Sequence, residues 1–464
     1  MAYISNTDKE RKEMLDVIGV KVFDDLIANV PLKFREKAHL NLDSPLSEFE
    51  LSKKMDKILS KNKCLNKVNS FLGGGIYDHF IPAAVDSIIS RPEFLTAYTP
   101  YQAEVSQGTL QAIYEYQTLV CELTGMEISN AGMYDGASAA AEAILMACRK
   151  NRMAKALVSE TVNPAYIQVM RIYTEGAGIE IVVVPAKDGV IDLAKLEEMN
   201  DDNTCCVVVQ TPNCFGNIED CFEIEKVVRQ QKRTLFIPIV DPISLAILNS
   251  PAEYNADIVV GEGQALGNKP YFGGPLFGFL ASKMDLSRIM PGRIVGATTD
   301  IDGKRAYSLT LQAREQHIRR DKATSNICSN EALCTLAGTV YMCLMGKQGM
   351  KEVAELSMTK AHYLAREICK IDGFEMAFTQ PFFKEFTVTT PISPTLIIEQ
   401  LEKKDIFAGL DISCDKYPNK LLIAVTEKKT REDMDVFVKA LSFCLNTKNT
   451  SPPLHPSQEG NYEV

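Results

Sequence analysis

The feature that most constrains the fold is a regular alternation of short apolar segments with helical segments, which begins near residue 130. Ile179–Val184 and Cys205–Val209 are rich in β-branched residues, and Leu193–Met199 between them has helical spacing. Strands separated by helices require crossover connections, which are right-handed and produce a mainly parallel sheet. We therefore predict an α/β fold, in which a ligand would bind at the carboxyl ends of the strands.

The segments on either side of this alternation have different patterns. Residues 1–70 are charged and have helical spacing, with Ser47 and Glu50 at the separation of a capping box. After a polar and basic stretch at 291–330, apolar helices alternate with β-like segments again. The pattern predicts a helical N-terminal arm with an interface loop, a large α/β domain, a smaller C-terminal α/β domain and a disordered tail, at 1–105, 106–325, 326–447 and 448–464.

One stretch of the large domain indicates a cofactor. Leu235–Val240 is an apolar strand followed by Asp241, and a second apolar strand at Ala256–Gly261 leads to the glycine-rich loop Gly273-Gly274-Pro275. This order resembles the pyridoxal phosphate (PLP) region of fold-type I enzymes. In those enzymes an Asp pairs with the pyridine nitrogen, and a Lys after the next strand holds the aldehyde as a Schiff base. Gln264-Ala265 stands where that Lys is expected. The strands and the glycine-rich loop of such a region are therefore predicted, but its Schiff-base lysine is absent.

Three features around this stretch each have two interpretations. Asp135-Gly136 begins an Ala-rich helix, whose free N–H groups could hold a phosphate; the alternative, which we favour, is an ordinary helix capped by the Asp135 carboxylate. Asp241 could pair with a pyridinium or could cap the turn before Pro242. Lys269, just before Pro270, could carry a cofactor, although a surface loop lysine is the better interpretation.

A polar and aromatic loop precedes the long helix predicted from Ser106 to Leu123. Such a loop could orient a polar substrate or reach across an interface. The alternative is a Pro-bearing turn that caps the long helix at Ser106. The candidate residues are Tyr98, Thr99, Tyr101, Gln102, Glu104, Ser106 and Gln107.

A basic cluster stands out in a chain whose formal net charge is −10. It could contact an acidic partner, a carboxylate or a phosphate. The alternative is a solvated helix face whose charges are paired with Glu315 and Asp321. The cluster comprises Arg314, His317, Arg319, Arg320 and Lys322.

Composition and charge exclude several classes of protein. A net charge of −10 and a pI of about 5.3 argue against binding to duplex nucleic acid. No apolar run approaches the roughly 20 residues of a membrane span, and the first residues lack an apolar signal core, so we expect a cytoplasmic protein. The 13 cysteines form no C-x-x-C pair and only five His are present, which predicts reduced thiols and no metal site.

Several longer motifs resemble the glycine cleavage system P-protein, the decarboxylating glycine dehydrogenase. The resemblance covers roughly residues 1–447 and is to the N-terminal half of that protein, which in some organisms is a separate subunit 1. The motifs are Thr99-Pro-Tyr-Gln102 with Glu104 and Ser106-Gln-Gly108, Met133-Tyr-Asp-Gly136, Phe272-Gly-Gly-Pro275, Met290-Pro-Gly-Arg-Ile-Val295, Lys304-Arg-Ala-Tyr307, Leu309-Thr-Leu-Gln312, Arg314-Glu-Gln-His-Ile-Arg319 and Lys322-Ala-Thr-Ser-Asn326.

The resemblance implies a fold-type I PLP-dependent transferase-like (aminotransferase-like) fold and a shared enzyme. In the family, subunit 2 carries the Lys that binds PLP, and two copies of each subunit form a heterotetramer. The reaction is decarboxylation of glycine with transfer of the aminomethyl group to the lipoyl arm of H-protein. Ala265 occupies the place of the PLP lysine here, so this chain is expected to complete a site whose PLP is bound by subunit 2, with no catalytic residue of its own.

The resemblance also suggests roles for the two candidate surfaces. The loop from Tyr98 to Gln107 would reach the shared active site, and the basic cluster from Arg314 to Lys322 would lie at the subunit contact or at the docking surface for H-protein. Asp241, Asp135 and Gly136 would be remnants of a cofactor site. Two alternatives remain open: a purely structural subunit without any active-site group, and a self-sufficient PLP enzyme that uses Lys269.

Overall fold

The computed structural model divides the chain into two compact units, Met1–Lys67 and Val68–Val464. The residues that the structure describes are 6–38, 42–271, 274–312, 316–323, 325–327 and 330–446, without the side chains of residues 317 and 446. The predicted tail at 448–464 lies outside them. Residues 68–105 group with the larger unit and not with the N-terminal arm; the other domain boundaries stay predictions.

The smaller unit is helical and has apolar side chains on its surface. Ser47 and Glu50 form the predicted capping box, with Ser47 N donating to Glu50 Oε2 at 2.9 Å and Glu50 N to Ser47 Oγ at 3.3 Å. Thr7 and Glu10 cap the first helix in the same way. None of the four helices buries a residue; they span Asp8–Ile18, Phe23–Leu26, Leu32–Arg35 and Glu48–Leu59.

A seven-stranded, mainly parallel sheet forms the centre of the larger unit. In chain order its strands are β1 (Ile128–Ser129), β2 (Lys155–Ser159), β3 (Glu180–Val184), β4 (Thr204–Thr211), β5 (Leu235–Val240), β6 (Ile258–Glu262) and β7 (Gly278–Ser282). Their order across the sheet is β1-β7-β6-β5-β4-β2-β3. The parallel pairs are β3 with β2, β2 with β4, β4 with β5 and β5 with β6. Strand β7 pairs antiparallel with β6 and β1.

The burial pattern explains why these segments form the centre. Val207, Val208 and Val209 on β4 are all fully buried, because helices cover both faces of the sheet. The side chains of alternate residues belong to two separate clusters, with Val207 and Val209 in one and Val208 in the other. This arrangement confirms the predicted α/β fold, in which the carboxyl ends of the strands meet at one edge.

The helices of the larger unit agree closely with the sequence pattern. Ala332–Ile368 comprises two helices that meet at a kink, where Gly346 has non-helical backbone angles (φ 57°, ψ −175°). The others are Ala83–Ile89, Pro92–Leu95, Gln107–Thr124, Gly136–Asn151, Pro164–Glu175, Leu193–Met199, Cys221–Val228, Gln316–Arg319, Pro394–Glu402 and Arg431–Asn446. Short 3₁₀ turns lie at Glu36–Ala38, Ala103–Val105, Ser244–Ala246, Met284–Ile289 and Arg320–Lys322.

A β-hairpin occupies part of the stretch that the sequence presents only as polar and basic. Its strands, β8 (Ile294–Thr299) and β9 (Arg305–Thr310), pair antiparallel. Tyr307 and Leu309 pack against the helix Gln107–Thr124, and the residues between them are less buried. Because only one face of the hairpin is covered, its apolar signal is too weak to predict a strand.

A smaller antiparallel sheet follows the long helix. Its strands are β10 (Glu375–Met376), β11 (Glu385–Thr389), β12 (Leu410–Asp411) and β13 (Lys420–Ala424), in the order β10-β11-β13-β12. Phe386, Ile423 and Phe437 belong to its core. Two-residue pairs also join Asn69–Ser70 to Ile406–Phe407, and Ala186–Lys187 to Val190–Ile191.

Within the described residues, no helix combines the length and apolar character needed to span a bilayer. The same residues contain no cluster of three or more His, Cys, Asp or Glu side chains that could hold a metal ion.

Candidate functional site

The carboxyl ends of β5 and β6 form the wall of a small cavity, here called the Asp241 cavity. Asp241 directly follows β5, and Glu262 is the last residue of β6. Ala265, from the turn after β6, also lines it, as does Lys384, which directly precedes β11 of the small sheet. Its volume of about 40 Å³ has room for only a few water molecules.

Asp241 is engaged by its own turn and by a buried lysine. Its Oδ1 accepts a hydrogen bond from Ile243 N at 2.8 Å, which is the predicted turn cap. Its Oδ2 lies 2.6 Å from Lys384 Nζ, and the side chains of Lys384 and Asp241 are 1% and 11% exposed. This buried ion pair joins the central sheet to the small sheet.

Lys384 is also the end of a polar chain that sequence reasoning missed. Its Nζ lies 2.9 Å from His79 Nε2, and His79 Nδ1 lies 2.6 Å from Glu427 Oε2. Burial lowers the pKa of His79, and the Lys384 ammonium lowers it further against the effect of Glu427. A neutral imidazole satisfies both contacts when Nε2 accepts from Lys384 and Nδ1–H donates to Glu427.

The segment that carries His79 is held in place from both sheets. Gln264 Oε1 accepts from Tyr77 N at 2.9 Å, and Gln264 Nε2 donates to Tyr77 O at 3.1 Å. Tyr77 Oη donates to Glu385 Oε2 at 2.9 Å, and Gly74 N donates to Glu385 Oε1 at 2.7 Å. Burial raises the pKa of Glu385 to about 7. Gln264, beside the expected position of the PLP lysine, therefore has a structural role.

Two carboxyl groups occupy the N-terminus of the helix Gly136–Asn151. Asp135 Oδ1 accepts from Ser138 N at 2.7 Å, as expected for the capped-helix interpretation. Glu262 Oε2 accepts from Gly136 N at 2.9 Å, and its Oε1 accepts from Gln264 N at 3.0 Å. Burial raises the pKa of Glu262 to about 8 against these hydrogen bonds. A Cβ at Gly136 would approach Tyr166 Oη to 2.5 Å, so only glycine fits there.

The residues present in the Asp241 cavity do not fit PLP. A covalently held PLP needs a lysine, an acid free to face the pyridine nitrogen and N–H groups free to bind the phosphate. Ala265 stands at the expected position of the lysine, Asp241 bonds Lys384, and Gly136 N bonds Glu262. Lys269 does not line the cavity; it is about half exposed and pairs with Asp86 at 2.9 Å.

Tyr98 and Thr99 of the polar loop line a different cavity, here called the Tyr98 cavity, with a volume of about 180 Å³. Tyr98 and Tyr101 are 84% and 48% exposed, and Gln102 and Glu104 are also exposed, whereas Thr99 is half-buried. Arg293 lines the cavity, is almost completely buried and donates from Nη2 to Tyr101 Oη at 3.2 Å.

Ser106 and Gln107, at the end of the loop, are half-buried. Gln107 Nε2 donates to Tyr307 O at 2.9 Å and its Oε1 accepts from Tyr307 N at 2.9 Å, so the side chain attaches the loop to the hairpin. Ser106 precedes the long helix and is half-buried, but its side chain makes no capping hydrogen bond. The capping turn proposed as the alternative for this loop is therefore not formed through the Ser106 hydroxyl.

The basic cluster is only partly described. Arg319, Arg320 and Lys322 are exposed on a short helix and the 3₁₀ turn that follows it. Arg314 and Glu315 lie outside the described residues, as do the His317 side chain and the Phe272 and Gly273 positions of the glycine-rich motif. Three cationic side chains of the predicted cluster thus share one exposed surface.

The residues that were missed left a weak sequence signal. Lys384 and Glu385 are adjacent charges between Phe383 and Phe386, in a segment that otherwise reads as a buried strand. Glu262 ends the apolar run of β6 with a charged residue. Charged residues are rarely buried unless they are paired, so such interruptions mark candidates for buried networks.

Comparison with known proteins gives one consistent result. A sequence model described as glycine cleavage system P-protein matches residues 1–441. The chain is 51% identical over 441 residues to the probable glycine dehydrogenase (decarboxylating) subunit 1 of Chloroherpeton thalassium, covering 95% of this chain and 99% of the relative. It is 52% identical over 444 residues to the protein of the same description from Carboxydothermus hydrogenoformans, again covering 95% and 99%.

Solved structures agree with this assignment. A crystal structure of glycine decarboxylase (P-protein) of the glycine cleavage system, in inhibitor-bound form, matches with a TM-score of 0.89 and 39% identity, covering 96% of this chain and 100% of that chain. A Lactobacillus brevis glutamate decarboxylase matches with a TM-score of 0.69 at 12% identity, covering 90% and 98%, which shows the fold alone. The sequence and structural matches together place this chain in the glycine cleavage system P-protein family.

Proposed function

We propose that this chain is subunit 1 of a glycine dehydrogenase (decarboxylating) and works with a second kind of subunit that supplies the PLP lysine. The proposal is carried by one observation. The chain matches subunit-1 proteins over almost their whole length, yet it has Ala265 where the scaffold would place the lysine. A subunit with this scaffold and without this residue needs a partner for the chemistry.

The reaction of the assembly is decarboxylation of glycine and transfer of the aminomethyl group to the lipoyl arm of H-protein. PLP bound by the partner subunit would supply the electron sink that stabilises the carbanion after CO2 leaves. We propose two copies of each subunit and a cytoplasmic location. The contribution of this chain is to position groups at the shared site and to exclude water from it.

The loop at the Tyr98 cavity is the part of this chain proposed to reach the shared site. Tyr98, Tyr101 and Gln102 present hydroxyl and amide groups at the surface. Arg293 supports them from below, because it bonds the Tyr101 hydroxyl and its guanidinium carbon lies 5.5 Å from the centre of the Tyr101 ring. Polar groups on a loop that is supported by a buried side chain are suited to orienting a small polar substrate.

The basic cluster is proposed as the contact for an acidic partner surface. Arg319, Arg320 and Lys322 are exposed in a protein whose net charge is −10. A cluster of charges opposite in sign to the partner's surface raises the association rate more than it raises the affinity of the complex. H-protein and subunit 2 are the two partners that would use it.

A purely structural subunit is the alternative. Such a subunit would stabilise subunit 2 without contributing to its active site, and its surface loops would be free to change. The exposure of Tyr98 and Tyr101 beside a cavity of about 180 Å³ favours the shared site, because a purely structural subunit does not need exposed polar groups next to a cavity.

The test is to measure visible absorbance and glycine–bicarbonate exchange for this chain alone and after addition of subunit 2. We expect the chain alone to be colourless and inactive, and the mixture to be yellow and active. Subunit 2 alone serves as the control. If the chain alone exchanges bicarbonate, or if subunit 2 alone has the full activity of the mixture, the shared-site proposal is wrong.

A further inference from the structure

We infer that two side chains of this chain, Glu262 and Lys384, have taken over the contacts that a cofactor would make in the Asp241 cavity. They close the cavity against PLP independently of the missing lysine. The inference goes beyond the proposed function, because it concerns this chain by itself and does not depend on its partner.

The first contact is the one that a phosphate would make. Free N–H groups at the start of a helix bind anions, and Gly136 begins a 16-residue helix at the edge of the cavity. The Glu262 carboxyl accepts from Gly136 N, and Asp135 accepts from Ser138 N. Both backbone N–H groups are therefore satisfied from within the chain, and a phosphate would have to displace a buried carboxyl group.

The second contact is the one that a pyridinium nitrogen would make. Asp241 lies at the end of β5 and is nearly buried, so it requires a cationic partner. Lys384 supplies that charge from the small sheet at 2.6 Å. Its ammonium also contacts His79 Nε2 and lies 3.7 Å from the centre of the Tyr77 ring, so the charge is enclosed on several sides.

These two contacts have a consequence that the absence of a lysine alone would not have. Because Lys384 belongs to the small sheet and Asp241 to the central sheet, the ion pair holds the two sheets together without any cofactor. The remaining volume of about 40 Å³ is too small for PLP. Restoring a lysine at Ala265 should therefore not restore PLP binding unless Glu262 and Lys384 are also changed.

The experiment measures binding of PLP to the full-length chain by equilibrium dialysis and visible absorbance, for Ala265→Lys and for the triple variant Ala265→Lys, Glu262→Ala, Lys384→Met. In the Ala265→Lys variant, the Gly136 N–H still bonds Glu262 and Asp241 still pairs with Lys384, so neither contact is open to PLP. We expect Ala265→Lys to bind PLP no better than the unchanged chain, and the triple variant to bind it at least about tenfold more tightly. Equal affinity of the two variants, or a yellow Ala265→Lys protein, overturns the inference.

A second measurement keeps the inference testable if the triple variant does not fold. The single variant Glu262→Ala frees the Gly136 N–H while leaving the ion pair intact, and inorganic phosphate is the probe. We expect added phosphate to raise the melting temperature of Glu262→Ala by about 1–3 °C more than that of the unchanged chain. Glu219→Ala is the matched control, since Glu219 is also buried and its Oε2 accepts from the backbone Ile191 N at 3.0 Å, outside a helix N-terminus. An equal shift in all three proteins overturns the assignment of Glu262.

Discussion

In the Asp241 cavity, the charged side chains bond groups of the same chain, whereas beside the Tyr98 cavity most of the polar side chains face solvent. Asp241 and Lys384 are buried and paired with each other. Tyr98 and Tyr101 are exposed, and Gln102 and Glu104 are exposed with them. The two cavities have no lining residue in common.

The difference separates a region whose polar groups are used within the chain from a region whose polar groups are exposed, and we propose that the exposed region serves a partner. A buried group whose hydrogen bonds are satisfied internally is stabilising and has little capacity left for a ligand. An exposed loop supported by a buried arginine has capacity for new contacts. The Asp241 cavity, at the strand ends where a ligand is expected, therefore has few groups left to bind one. The loop at the Tyr98 cavity still has exposed polar groups.

The largest expected effect comes from breaking the Lys384–Asp241 pair. Lys384→Met leaves Asp241 buried and unpaired, so we expect a loss of about 3–5 kcal/mol in the free energy of unfolding. The double variant with Asp241→Asn should lose much less, because no uncompensated charge remains. Denaturant unfolding of the full chain measures both values.

A matched control makes this result interpretable. Lys150 and Asp285 form an ion pair at 2.9 Å whose side chains are 38% and 64% exposed, so Lys150→Met should cost less than about 1 kcal/mol. If Lys384→Met costs no more than this control, the pair does not hold the cavity closed.

The second prediction concerns the pH dependence of stability through Glu262. Burial raises the pKa of Glu262 in the folded chain to about 8, so the folded state retains a proton that the unfolded state releases near its ordinary pKa. The contribution of Glu262 to stability is therefore complete at low pH and is lost as the pH rises towards about 8.

Replacing Glu262 with Gln should remove this dependence. We expect the Glu262→Gln variant to match the unchanged chain near pH 5 and to exceed its unfolding free energy by about 2–4 kcal/mol near pH 8. Melting curves across that range, with Glu160→Gln as control, measure the difference. A difference that does not change with pH would contradict the assigned burial of the carboxyl group.

The third prediction tests the open site. Tyr101→Phe and Gln102→Ala should each lower exchange activity of the assembled enzyme by about tenfold, the equivalent of one lost hydrogen bond in the reacting complex. PLP content should not change in either variant. Gln102→Ala should also leave the melting temperature unchanged, because the Gln102 side chain is exposed.

Two variants elsewhere serve as controls for the loop. Tyr363→Phe removes a hydroxyl that donates to Asp435 at 2.7 Å, and Gln111→Ala removes an exposed amide that bonds Glu115 at 2.8 Å. Both should retain full activity. Loop variants that are as active as these controls would support the purely structural subunit.

The smallest expected effect is at the basic cluster. Replacing Arg319, Arg320 and Lys322 together with Gln should slow association with the acidic partner by a few-fold at low ionic strength. The effect should disappear as salt rises above about 0.15 M, because exposed charges are screened beyond about 8 Å. Stopped-flow association rates measure the effect. A reduction in rate that is independent of salt would contradict an electrostatic role of the cluster.

Local patterns predicted most of the secondary structure because helix and strand periodicity is strong in this chain. Leu193–Met199 matches the predicted helix residue for residue, and Ile179–Val184 matches strand β3 to within one residue. The hairpin at β8 and β9 was missed because its residues alternate in burial without being strongly apolar. After residue 330 the sequence pattern predicts more than one helix, and Ala332–Ile368 is indeed two helices separated by a kink at Gly346, whose backbone is not helical.

The candidate site was only partly predictable for a different reason. Asp241 and Ala265 were found because each has a fixed position relative to a strand. The partner of Asp241 comes from another sheet far along the chain, and His79 and Glu427 join it only through the tertiary fold. Sequence reasoning could place Ala265 at the position where a lysine is expected, and it had no means of showing that Lys384 lines the same cavity.

The most direct test of the account is to reduce the assembled, PLP-loaded enzyme with borohydride and to map which lysine carries the label. Reduction fixes PLP to the lysine that holds it, so each subunit can be read separately by peptide mass spectrometry. The account predicts label on subunit 2 and none on this chain. Label on Lys269 or Lys384 of this chain, in an amount comparable to that on subunit 2, would contradict it.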